Sequence, residues 1–132
     1  MEIQYLTSFQ EEFFDQFELF VNSAKDLYQS NNPNLELKKI KKSIHTLRST
    51  CMMLNIDNLT DFFRAFEDLL EKIILQSKNI PPALHKALDI GYNKFQEINA
   101  ALQNGKPSEK IKKLNDIETL IEVESFYSYN NS

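Results

Sequence analysis

Residues 40–71, IKKSIHTLRSTCMMLNIDNLTDFFRAFEDLLE, carry two apolar seams of helical spacing on either side of a short corner at residues 55–57. Before the corner, Leu37, Ile40, Ile44, Leu47, Cys51 and Leu54 recur at steps of three and four. After it, Leu59, Phe62, Phe63, Phe66, Leu69, Leu70, Ile73 and Ile74 do the same. Such steps line one face of a helix, so each stretch predicts an amphipathic helix whose seam must be buried. Asp57 is suited to cap the second helix, because its carboxylate can accept from the free amides of a first turn. A corner this short makes the two helices antiparallel neighbours.

That arrangement decides which flanks meet. Lys41, His45, Arg48 and Met52 form a stripe beside the first seam; Thr60, Arg64, Glu67 and Glu71 form one on the same-sense side of the second. In an antiparallel pair these flanks face each other, and residues equidistant from the corner share a height. With residue 56 as the midpoint, His45 is level with Glu67, Lys41 with Glu71, and Arg48 with Arg64. The expectation is a histidine beside a carboxylate, with two arginines facing each other about 5.4 Å away along the axis. Opposed arginines repel, and make sense where an anion visits. Beside a histidine, the obvious anion is a phosphoryl group carried on the ring. Glu67 accepting from Nδ1–H leaves the Nε2 lone pair free for that group, and Arg48 and Arg64 can bind its oxygens through charge-assisted hydrogen bonds.

The stretch HTLRSTCMMLN followed by LTDFFRAFEDLLE resembles the histidine phosphotransfer (HPt) domain, and is most similar to the N-terminal phosphotransfer domain of CheA-type chemotaxis histidine kinases. The family pattern is a His, a Lys three residues on, then a small residue, usually Gly, and a Glu 22 residues after the His. Here these positions are His45, Arg48, Ser49 and Glu67. Arg48 keeps the charge of the Lys but not its point geometry, and Ser49 adds a hydroxymethyl group where the family has none. A basic or imidazole residue is common in the chemotaxis subgroup near the position of Arg64. The resemblance covers most of the chain. It implies an all-α, antiparallel four-helix bundle of HPt type with an additional C-terminal helix, the domain spanning residues 1–124 and residues 125–132 forming a tail or the start of a linker. It also implies phosphoryl transfer from a histidine kinase catalytic domain to His45 and onward to an aspartate of a response-regulator receiver, in chemotaxis-type two-component signalling. Ser49 would border the receiver's approach, and Met52 would offer it an adaptable apolar contact.

The rest of the chain agrees with an all-α class: two glycines and four prolines among 132 residues, 42% of them hydrophobic, suit one domain with a sizeable core. A first helix is expected over residues 3–29, with Leu6, Phe9, Phe13, Phe17, Phe20, Ala24 and Leu27 on its inner face and Glu11, Glu12, Asp15 and Glu18 outside. Turn formers with a proline at residues 30–34 end it. Pro81 and Pro82 open a further helix, in which Leu84, Leu88, Gly91, Phe95, Ile98 and Leu102 share a face; Gly91 in that seam predicts a close helix–helix approach. Residues 105–107 close it, Ser108 can cap a last helix, and Ile111, Leu114, Ile117 and Ile121 give that helix a modest apolar edge.

Net charge is −4, with no basic, aromatic-interleaved face, which argues against nucleic acid. Lys38, Lys39, Lys41 and Lys42 form the one basic cluster and read as the solvated start of a helix. Cys51 falls in a core seam, as a reduced, buried thiol rather than a nucleophile. His85 lies off its seam with no carboxylate placed for it. The apolar runs are too short and interrupted for a signal peptide or membrane span, which points to the cytoplasm. No P-loop, glycine-rich phosphate cradle or magnesium-binding carboxylate set is present in the sequence, and no metal or cofactor is expected. A phosphoryl group would therefore come from a separate kinase domain, in the same longer protein or in trans. The alternative is a non-phosphorylated helical interaction module that keeps the fold without the chemistry.

Overall fold

The structure, a computed structural model, describes residues 3–76 and 82–103 together with Ile111 and Leu114. Among these residues the chain forms four helices and no strand: α1 (Ile3–Leu27), α2 (Pro33–Met53), α3 (Asp57–Gln76) and α4 (Pro82–Leu102). Each packs against its neighbour in the chain, and α1 also meets α4, so the four enclose one core as a helical bundle. The expected C-terminal helix, apart from Ile111 and Leu114, and the expected boundary at residue 124 lie outside the described residues. Ile111 is buried and Leu114 packs against the core. Both carbonyls accept from the Asn58 amide, at 2.7 Å for Ile111. One side chain at the start of α3 thus ties the chain beyond α4 to the bundle.

The helix boundaries follow from local chemistry. α1 ends at Leu27, two residues short of the expected end, and the Gln29 amide donates to the Asp26 carbonyl at 3.1 Å just beyond it. Pro33 then sits in the first turn of α2, where its missing amide costs nothing. The corner between α2 and α3 is sharper in detail than the spacing implies. Asn55 adopts the left-handed conformation, φ 58°, which a short polar side chain tolerates better than most. Its amide donates to the Met52 carbonyl at 3.2 Å, and that of Ile56 to the Cys51 carbonyl at 2.9 Å. This pair of bonds is a Schellman motif with asparagine in the usual glycine position. The Ile56 side chain is buried beside it, so a polar backbone reversal and an apolar contact together hold α2 against α3. Asp57 is the first residue of α3 rather than its cap; Ile56 precedes it and accepts from the Thr60 amide at 2.9 Å. Its carboxylate acts as a first-turn charge on the helix dipole.

The core is aromatic. Phe17 stacks on Phe95 with centroids 5.0 Å apart, and Phe20 meets the same ring at 4.8 Å. Gly91 lies at the centre of this packing. A Cβ built there would stand 2.7 Å from Phe66 Cζ and 3.1 Å from Phe20 Cζ, both on fully buried rings. The expected close approach is therefore real, and it joins α4 to α1 and α3 at once. Gly91→Val is expected to lower stability by about 1–3 kcal/mol through overpacking, despite valine's better helix propensity. Urea denaturation measures it, and an unchanged midpoint would mean that the rings yield freely. Lys94, absent from the apolar pattern, is 2% exposed. Its ammonium is held by Glu97 at 2.9 Å and lies 5.0 Å from the centre of the Phe62 ring, a paired and ring-stabilised burial.

Candidate functional site

With α2 and α3 locked antiparallel by the corner, two of the three level pairs meet. Lys41 Nζ lies 3.0 Å from Glu71 Oε1. One turn nearer the corner, His45 Nδ1 is 3.0 Å from Glu67 Oε1 and 3.3 Å from Oε2. The carboxylate lies beneath, with only 12% of its side chain exposed, while the histidine side chain is 52% exposed above it. A carboxylate only accepts. The 3.0 Å contact therefore puts a proton on Nδ1, and in the neutral ring it leaves Nε2 as the lone-pair nitrogen.

The third pair behaves otherwise. Arg48 and Arg64 do not turn toward a shared anion position. Arg48 Nη1 lies 3.3 Å from Glu67 Oε2, and its Nη2 comes within 3.3 Å of His45 Nδ1. With Nδ1 already donating to Glu67, that second approach is proximity rather than a hydrogen bond. Arg64 turns back along its own helix to Asp61, at 3.8 Å. Long side chains choose the nearest carboxylate, which for Arg48 is Glu67. Arg48 is consequently a support for Glu67 in the ligand-free protein. Arg48→Ala is expected to cost about 1–2 kcal/mol, since a mostly buried carboxylate loses a charged partner. Arg64→Ala, removing a long and half-exposed pair, should change stability by less than about 0.5 kcal/mol. Parallel urea denaturation of the two variants checks this, and equal losses would refute the division of labour.

The flanks of the site separate by side. Toward the corner, Met52 and Met53 are exposed, Met53 by 78%, and Ser49 is half-buried. Toward the start of α2 lies a shallow depression of about 260 Å³ lined by Lys38, Lys41, Lys42, His45 and Glu67. The lysine cluster is exposed at Lys38, Lys39 and Lys42, as expected of a solvated helix start, and three of its members also line this depression. Its spacing of three, four and seven residues before His45 is the signal that places it on the histidine's flank.

A larger cavity, about 420 Å³, opens between α1 and α4, lined by residues that include Tyr28, His85, Asp89 and Tyr92. There His85 stacks flat on Tyr28, with centroids 4.4 Å apart, and has no hydrogen bond or ion pair among the described residues. Burial, followed by the nearby Asp89 charge, raises the Tyr28 hydroxyl above its usual pKa. This groove is the larger of the two, but its histidine makes no hydrogen bond to a carboxylate, so its tautomer is not set as that of His45 is. Cys51 is fully buried, and burial pushes its thiol up to about 12, which leaves no thiolate near neutral pH.

Among the described residues no group of three or more His, Cys, Asp or Glu side chains could hold a metal ion, and no helix is long and apolar enough to cross a membrane. Fold and site together define, among the described residues, an all-α bundle that presents an exposed imidazole, backed by a mostly buried carboxylate, on the flank of a helix pair. The chain matches no family model, no curated protein and no solved structure.

Proposed function

We propose that the chain is a phosphoryl carrier of the HPt type, with His45 as the acceptor. The observation that carries this reading is the Nδ1 contact with Glu67 at 3.0 Å under a half-exposed ring. In the transfer, Nε2 attacks the terminal phosphorus of ATP held by a separate histidine kinase catalytic domain. The N–P bond forms as the P–O bond to the leaving ADP breaks. Positive charge developing on the ring is offset by Glu67, which keeps the Nδ1 proton in place. The second transfer moves the group from Nε2 to an aspartate oxygen of a receiver domain and returns the neutral ring. The family resemblance adds the finer expectations: a domain over residues 1–124, a cytoplasmic setting, chemotaxis-type signalling, and a place either free-standing or within a longer kinase. Met52, exposed on the same helix seven residues after His45, suits receiver docking, because a flexible thioether adapts to a partner surface.

The test is incubation with a histidine kinase core and labelled ATP, followed by acid and base treatment of the product. An acid-labile, base-stable label is expected, as for a phosphoramidate bond. Ser49, in place of the family's usual glycine, and the exposed Met52 and Met53 favour a second reading, an interaction module without phosphoryl chemistry. A chain that binds a partner but takes no label would establish it.

A further inference from the structure

The ion pairs around His45 leave a charge imbalance that the carrier chemistry has not used. Arg48 is engaged by Glu67, Lys41 by Glu71, and Arg64 by Asp61. Lys39 is engaged by Glu36, at 3.6 Å. Lys38 and Lys42 line the depression beside the ring and have no ion-pair partner among the described residues. Two uncompensated ammonium groups therefore flank one imidazole. They lie three and seven residues before it on the same helix, within about 5 and 11 Å along the axis. A helical side chain also covers the turn N-terminal to its own Cα, so the imidazole leans toward the lysines and away from Ser49 and Met52.

We infer that Lys38 and Lys42, with Lys41 at the edge, form the anion subsite of this face, holding a tetrahedral phosphoryl dianion at His45 Nε2. The inference rests on the carrier reading and deepens it. The role that the flank spacing suggests for Arg48 and Arg64 passes to the lysines of the preceding turns, because the arginines are held by carboxylates. The charges match: a phosphoryl group carries about −2 near neutral pH, and two unpaired lysines supply the opposite sign. A lysine is a mobile point charge on a flexible stem, suited to meeting a group that arrives and leaves without strict geometry. The same two charges would draw an anionic donor toward the ring before reaction.

The experiment uses phosphoramidate as the donor, so that no kinase surface is involved, and follows labelling by phosphorus NMR. The double variant Lys38→Gln, Lys42→Gln should label roughly tenfold more slowly at low ionic strength, with the difference shrinking as salt screens the charges. The phosphoryl resonance of its labelled form should titrate at higher pH than in the wild type, because lost cations favour protonation of the dianion. Lys38→Arg, Lys42→Arg should restore both quantities, and Lys39→Gln should alter neither. A wild-type chain that labels, alongside a double variant with the same rate, salt slope and titration, overturns this subsite and leaves the carrier intact. A wild-type chain that takes no label from phosphoramidate or from kinase and ATP overturns the carrier reading, and the subsite with it.

Discussion

His45→Gln is expected to take up no label from a histidine kinase core and ATP, and His85→Gln is expected to label at the wild-type rate. The expectation follows from the unequal surroundings of the only two histidines. His45 has its Nδ1 committed to a carboxylate at 3.0 Å and its ring half exposed. His85 lies flat against Tyr28 at the α1–α4 groove, where no acid is hydrogen-bonded to its ring to set the tautomer. Glutamine in place of His45 keeps a polar side chain of similar reach and can still donate to Glu67. It offers no nucleophilic nitrogen, so the loss of label reports chemistry rather than folding. The site is an exposed flank, and substitution there should change stability by no more than about 0.5 kcal/mol. Retention of label by His45→Gln together with its loss from His85→Gln would transfer the assignment to the groove.

Glu67→Gln is expected to slow phosphorylation by roughly one to two orders of magnitude while the bundle persists. The amide oxygen can accept from Nδ1–H, so the tautomer is partly kept. What disappears is the negative charge that offsets the imidazolium developing as Nε2 bonds to phosphorus. Because Glu67 is nearly buried and also holds Arg48, the change should cost about 1 kcal/mol of stability. Single-turnover labelling at saturating kinase separates the chemical step from docking. Equal rates for wild type and Glu67→Gln would remove the proposed role of the carboxylate, whatever the distance between the groups.

The meeting of His45 and Glu67 was legible because two periodicities and a short corner leave little freedom. Antiparallel helices about a midpoint at residue 56 must bring residues 45 and 67 to one height, and the backbone settles the rest. Lys41 and Glu71 met for the same reason. Backbone register does not reach the tips of long side chains. Arg48 and Arg64 are level, yet each turned to a carboxylate within reach, a choice made by several side-chain torsions and local charge. The Schellman geometry at Asn55 was likewise visible only as turn-forming composition.

The apolar spacing, the corner and the placement of prolines by themselves determined the helices, the antiparallel pairing of α2 with α3, the burial of Cys51, and the pairing of one histidine with one acid. These are properties of backbone register, which a periodic sequence specifies locally. Only the tertiary structure decided that Arg48 supports Glu67, that Lys94 is buried beneath the Phe62 ring, that a groove opens between α1 and α4, and that Lys38 and Lys42 remain unpaired beside His45. Each of those depends on which groups from other turns and other helices come within a few ångströms, and the free energy of a charge is set by those neighbours rather than by its position in the chain.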